Sequence, residues 1–220
     1  MDLDQIRKNT ERLLQEIPEG VIVVAAAKSR TPQEVLAAIE GGIRIVGHNY
    51  VKEAEAHREI LKDVEMHMIG HLQTNKARKA AKLFGVIQTL DSIKLAQELE
   101  RVGQKEGIAI SVLVEVNSAR EPQKSGVLPE DLKAFLERLS PFQHLLVRGL
   151  MTMGPLRGDP EEMRPYFRLT KELFDELQGI NSPNVRMEIL SMGMSDSYTI
   201  AIEEGANMVR IGTRIFGPRY

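Results

Sequence analysis

The chain of 220 residues contains no cysteine, so neither a disulfide framework nor a thiolate metal site is open to it. Its 29 basic and 31 acidic residues leave a formal charge of -2, which supplies no electrostatic reason to expect nucleic acid or an anionic membrane as partner. No apolar run approaches the roughly 18 residues that a bilayer span needs. The acidic start, with Asp2 and Asp4, lacks the basic character of a signal peptide. The glycine-rich dinucleotide loop, the P-loop and the G-x-S-x-G nucleophile elbow are all missing. The five histidines (His48, His57, His67, His71, His144) form no helical H-x-x-x-H pair. His67 and His71 lie four apart but straddle a strand end and a glycine, which is poor geometry for zinc. A soluble, cytoplasmic protein without a metal is the expectation.

What is present is a regular alternation of apolar runs and amphipathic stretches. A helix is expected at 3–17, with Ile6, Leu13, Leu14 and Ile17 on one stripe. Residues 21–27 then form a continuous apolar run, β-branched at its start, as in a strand buried on both faces, and it ends at Lys28. A helix follows from Pro32 to residue 40, closed by Gly41 and Gly42. Further strands are expected at 43–46, 65–69, 85–88, 109–116, 145–150, 186–190 and 207–211. The helices between them are expected at 50–62, 75–83, 93–106, 129–139, 161–177 and 195–204. Eight strands alternating with helices, without a linker-like break, predict a single-domain closed parallel (β/α)8 barrel over residues 1–220.

The last two strand–loop–helix units carry the densest set of polar and small residues. Ser191, Gly193 and Ser195 follow the seventh strand, and Gly212 and Thr213 follow the eighth, before a short helix expected at 213–216. Such loops offer backbone amides, hydroxyls and helix N-termini to an anion, and a barrel's phosphate site lies after its seventh and eighth strands. Lys28 stands at the carboxyl end of the first strand. There it either emerges into solvent or is desolvated enough to attack a carbonyl as a neutral amine. Arg210 shares the inner side of the last strand with Met208, so it needs a ligand or a carboxylate, for which Glu188 and Glu115 are candidates. Met151, Met153, Met192 and Met194 would put soft apolar surface around a flat ring. Asn49, Asn117 and Lys124 mark further polar strand ends. Lys76, Arg78, Lys79 and Lys82 read as a solvated helix face.

Several stretches together resemble one family over essentially the full length. They are Ala27-Lys-Ser29, Gly47-His-Asn-Tyr-Val-Lys-Glu53, His67-Met-Ile-Gly-His-Leu-Gln-Thr-Asn-Lys76, Val116-Asn117 with Lys124-Ser-Gly126, Gly149-Leu-Met151, Leu190-Ser-Met-Gly-Met-Ser-Asp196 and Met208-Val-Arg-Ile-Gly-Thr-Arg-Ile-Phe-Gly217. The family is that of the pyridoxal 5'-phosphate (PLP) homeostasis proteins, the YggS/PROSC family. The resemblance implies a fold-type III PLP-binding barrel, like the N-terminal domain of alanine racemase but without that enzyme's C-terminal β-domain. It implies that Lys28 holds PLP as an internal aldimine, that Arg210 lies near the pyridine nitrogen, and that Asn49 neighbours the ring. Ser191, Met192, Gly193, Gly212 and Thr213 match the phosphate cradle. It further implies a role in vitamin B6 balance without established turnover, in a monomer that could pass PLP to apo-enzymes. His48 stands where the family usually has glutamate, and the 29–32 segment departs slightly from the usual spacing after the lysine. Racemisation would need a second acid/base opposite the lysine, which the racemases take from their β-domain. This chain ends at Tyr220, just after its last barrel element, so little racemase activity is expected. A true PLP enzyme is the alternative reading, and a Schiff-base phosphosugar aldolase a more distant one.

Overall fold

Eight parallel strands pair in sequence order and close on themselves in the computed structural model, which describes residues 2–155 and 159–218. Tyr220 lies outside the described residues. The strands are β1 (Ile22–Ala26), β2 (Ile45–His48), β3 (Glu65–Met68), β4 (Val86–Leu90), β5 (Ile110–Glu115), β6 (Leu145–Met151), β7 (Val185–Ser191) and β8 (Met208–Ile211). Helix α1 (Leu3–Glu16) precedes them. Between and after the strands run α2 (Pro32–Glu40), α3 (Val51–His57), α4 (Ala77–Leu83), α5 (Ile93–Glu106), α6 (Leu132–Leu139), α7 (Arg164–Glu176), α8 (Tyr198–Glu203) and α9 (Thr213–Phe216). The predicted (β/α)8 barrel is therefore the fold. No helix among the described residues is long and apolar enough to cross a membrane.

Strand alternation sorts the apolar residues into two cores. Val24, Val86, Leu113, Met151, Ile189 and Met208 fill the barrel itself. Their neighbours along the chain, such as Val112, Val114, Leu190 and Val209, face outward and pack with Leu99, Leu136 and Phe167 of the helices.

Several element ends differ from the pattern-based expectation, each for a local hydrogen-bonding reason. Strand β2 begins two residues later than expected because the Ile43 amide returns to the Ala38 carbonyl, finishing α2. At the other end His48 belongs to the strand and not to the loop after it, because it pairs with Met68 and its carbonyl accepts from the Ile69 amide at 2.9 Å. Helix α3 stops at His57, well short of residue 62, where the chain tightens through Arg58 N–H on the Glu55 carbonyl and Ile60 N–H on the His57 carbonyl. The helices expected from 75, 129 and 161 open instead with 3-10 turns at Thr74–Lys76, Pro129–Asp131 and Pro160–Met163. Helix α8 starts at Tyr198, not 195, because Ser197 Oγ accepts from the Met194 amide at 3.2 Å and closes a turn ahead of it. That turn leaves Ser195 to face α9.

The closure between β7 and β8 rests on one register pair, Ser191 with Met208, whereas β5 and β6 share five. Backbone bonds from the Met192 amide to the Met208 carbonyl, the Asn207 amide to the Leu190 carbonyl and the Arg210 amide to the Gly193 carbonyl continue the seam, and it is reinforced by the Asn207 side chain. Its Oδ1 accepts from the Leu190 amide at 2.7 Å and its Nδ2 donates to the Glu188 carbonyl at 2.7 Å.

Candidate functional site

All eight strands point their carboxyl ends at one face, and the polar residues collect there. Lys28 leaves β1 at the corner of a tight turn in which the Arg30 amide donates to the Ala27 carbonyl at 3.0 Å and Ser29 takes a left-handed φ of 60°. The half-buried lysine sets its Nζ 5.5 Å from the centre of the Tyr50 ring, a cation–π contact. Tyr50 and Asn49 also line a groove of about 490 Å³ with Met68, His71, Leu72 and Lys76, a volume suited to a small molecule.

The β7 and β8 loops meet as a donor cluster. The Ser195 hydroxyl accepts from the amides of Gly212 at 3.1 Å and Arg214 at 3.4 Å, so two N–H groups at the start of α9 converge on one oxygen position. The exposed Thr213 side chain lies between them in sequence. Gly193 has φ of 92°, and a Cβ there would come within 2.6 Å of the Ala201 Cβ, so only glycine lets this loop lie against α8. Met192 contributes its backbone alone. Its amide bonds the Met208 carbonyl, while its side chain is buried in the outer core and not beside the mouth.

Arg210 is the buried cation of the site, only 4% exposed. Its guanidinium donates to Ser191 Oγ at 2.7 Å and to the Thr152 carbonyl at 2.9 Å. Burial brings it down to about 10, and the nearby Glu115 charge partly opposes that. Of its two expected carboxylates, Glu188 lies elsewhere, paired with Arg148 at 2.9 Å, and Glu115 remains as an electrostatic neighbour. Ser191 also proves to be engaged inside the barrel. Its hydroxyl is fully buried and donates to Gln88 Oε1 at 2.7 Å. It therefore belongs with Arg210 and not with the amides of α9, and Ser195, read from the sequence as one hydroxyl among several, takes the place on the amides.

Glu115, at the end of β5, is 5% exposed and is pushed up to about 7 by burial, with the Asp91 charge adding to the effect. His71 contacts Asp91 Oδ2 at 2.9 Å and Ser125 Oγ at 3.2 Å across the same mouth, while His67 points into the barrel. The site thus joins an amine, a converging amide pair, a buried cation and a carboxyl poised near neutrality. Tyr50, Gln88 and Thr152 were not singled out as site members from the sequence, and Glu115 was read only as a candidate partner of Arg210. Tyr50 could have been found as a polar residue following β2; Gln88, in an apolar run, gave no signal beyond its own polarity.

A profile of the alanine racemase N-terminal domain family matches residues 1–219. The chain is 41% identical to the pyridoxal phosphate homeostasis protein of Aquifex aeolicus, over 99% of this chain and 95% of that protein. Its fold superposes on PipY of Synechococcus elongatus PCC7942 with a TM-score of 0.90 in the structure without PLP, at 36% identity, covering 97% of this chain and all of the other. The PipY structure with PLP bound gives 0.88 at 34% identity over the same shares. Alanine racemase of Clostridium difficile, at 15% identity and a TM-score of 0.81 over 98% of this chain and 60% of the enzyme, shares the barrel fold. The chain belongs to the alanine racemase N-terminal domain family, and within it to the pyridoxal phosphate homeostasis proteins.

Proposed function

We propose that this protein binds PLP at the carboxyl face of its barrel, holds it covalently on Lys28, and serves intracellular vitamin B6 homeostasis by storing the cofactor and yielding it to apo-enzymes. One observation carries the reading: an amine, a pair of converging amides and a buried guanidinium face a single mouth. The donor set suits the cofactor's three polar parts. The Gly212 and Arg214 amides, with the Ser195 and Thr213 hydroxyls, would receive the phosphate, helped by the dipole of α9. Arg210, still protonated at neutral pH, would donate to the ring nitrogen and leave it unprotonated. Asn49 and Tyr50 would flank the ring, and Gly193 would keep the β7 loop close. When bound, PLP supplies an aldehyde that condenses with a primary amine and a ring that withdraws electrons from it.

Mixing the protein with excess PLP should produce a visible absorption band, and borohydride reduction should leave a pyridoxyl group on Lys28, located by peptide mass spectrometry. Lys28→Ala should abolish the adduct with its melting temperature nearly unchanged, because a strand-end side chain at the mouth adds little to the core. A reduced group found on another lysine, or no band at saturating PLP, would refute the assignment. Steady turnover of an amino acid at ordinary enzyme rates, lost in Lys28→Ala, would make the protein a PLP enzyme instead.

A further inference from the structure

Five side chains cross the barrel interior in an unbroken hydrogen-bonded file. Arg210 donates to Ser191 Oγ at 2.7 Å, Ser191 to Gln88 Oε1 at 2.7 Å, Gln88 Nε2 to His67 Nδ1 at 2.9 Å, and His67 Nε2 to Glu65 Oε1 at 2.9 Å. The first four are buried, whereas the Glu65 side chain is half exposed at the start of β3, on the rim opposite the mouth. The Gln88 amide sets the direction of the bonds. Its oxygen faces Ser191, whose one proton points at it while the guanidinium donates to the hydroxyl oxygen, and its nitrogen faces His67 Nδ1, so His67 accepts there and donates from Nε2 to the Glu65 carboxylate. The Gln88 amide nitrogen also contacts Met208 Sδ at 3.3 Å, which leaves it no spare donor.

Such a file is costly in a barrel whose other interior positions are Val24, Val86, Leu113, Met151 and Ile189. Apolar residues of similar volume would avoid the desolvation of four polar groups. Among the described residues no carboxylate forms an ion pair with Arg210. The file delivers to that cation the oxygen lone pair that holds it.

We propose that Gln88 and His67 are positioning residues for the Arg210 guanidinium, acting through Ser191 to set its orientation and donor strength toward the ring nitrogen of bound PLP. This rests on the mouth being a PLP site and assigns the groups that tune it. A break in the middle of the file frees the Ser191 proton to rotate, and the lone pair facing Arg210 is no longer fixed.

Two readouts separate the proposal from the reading beneath it. In the ligand-free protein, side-chain nitrogen NMR should show slowly exchanging Arg210 guanidinium protons that broaden or vanish in Gln88→Leu. In the PLP-loaded protein, Gln88→Leu should keep the reduced Lys28 adduct, shift the visible absorption maximum and its pH midpoint, and raise the PLP Kd about fivefold, the effect of one neutral hydrogen bond. His67→Leu should shift the maximum in the same direction by less, and the double variant should match Gln88→Leu alone, as links in series require. Glu65→Gln, which still offers His67 an acceptor oxygen, should stay close to the parent. If Gln88→Leu fails to fold, Gln88→Met, which keeps the length and volume of the side chain, takes its place. Parent-like guanidinium signals, maximum and midpoint in a folded Gln88 variant with only a lower melting temperature would reduce the file to packing and overturn the proposal, as would additive shifts in the double variant. A parent protein that never gains the PLP band would defeat the cofactor reading while the NMR comparison still judges the file.

Discussion

Glu115 shows how a single buried group sets the pH response of the barrel mouth. Burial lifts its carboxyl from 4.5 to about 7, so the folded state favours the protonated form. That contribution is complete below about pH 4.5 and is lost as the pH rises to about 7, a fall of about 3 kcal/mol across the window. Glu115→Gln removes the ionisation, so its melting temperature should exceed the parent's by more at pH 8 than at pH 5. An equal gap at both would mean that the carboxyl ionises as freely as in the unfolded chain. The positions of Lys28 and Arg210 were legible in the sequence because each sits in or at the end of an apolar run whose strand parity or end is unambiguous. Ser191 was not. Its hydroxyl turns to Gln88 and Arg210, and which partners a strand-end hydroxyl meets across a barrel is decided by tertiary packing. Ser195 could be read as a cap or a cradle member, and only the turn closed by Ser197 settles where its oxygen goes.

Between β2 and α3 the packing carries its own acid sensitivity. His48 is fully buried with its ring 5.2 Å from that of His57 and 6.5 Å from Phe84, and neither His48 nitrogen has a protein partner among the described residues. Burial, reinforced by His57, holds His48 down at about 4. Burial lowers His57 as well, against the opposing charge of Glu53. The neutral imidazole is therefore the form the fold stabilises. Its contribution is present above about pH 6.5 and is lost as the pH falls toward 4, amounting to about 2 kcal/mol by pH 5. In His48→Leu the drop in unfolding free energy between pH 7 and pH 5, measured by denaturant titration, should shrink by about that amount. An unchanged drop would place the acid-sensitive group elsewhere. Strands such as β1 and β5 were visible as apolar runs, because a strand covered on both faces is apolar almost throughout, whereas β3 carries Glu65 and His67 and β7 carries Arg186 and Glu188. Strand ends were less visible: Gly41 and Gly42 marked the end of α2 but not the extra Ala38–Ile43 rung, and His48 joined the strand through its pairing with Met68 of β3, which the segment itself does not announce.

The whole molecule ties its first and last elements together behind the mouth. Helix α9 packs on α1, where Asn9 Nδ2 donates to the Ile215 carbonyl at 3.2 Å, and Arg30, two residues beyond Lys28, donates to the Gly217 carbonyl at 2.6 Å with its guanidinium 5.5 Å from the Phe216 ring. The turn bearing the lysine and the helix bearing the amide pair therefore share one strut. Arg30→Met keeps the stem and cuts the charge-assisted bond. It should weaken PLP about tenfold while changing pyridoxal, which lacks the phosphate, far less. Equal losses for the two ligands in parallel titrations would uncouple the strut from the anion site. The barrel architecture was legible from the count of eight alternating units, but this closure was not, since it links positions about 190 residues apart through backbone carbonyls that any residue supplies. The β7–β8 seam has a mechanical consequence. A ring of staves is only as strong as its weakest joint, and here that joint has one register pair, three backbone hydrogen bonds and an asparagine splint. The hydrogen bond from the Gly212 amide to Ser195 Oγ, where the proposed anion site lies, spans the same joint. On the proposed reading, a phosphate seated there would act as a clasp on the hoop, so that occupancy and the integrity of the ring would rise and fall together.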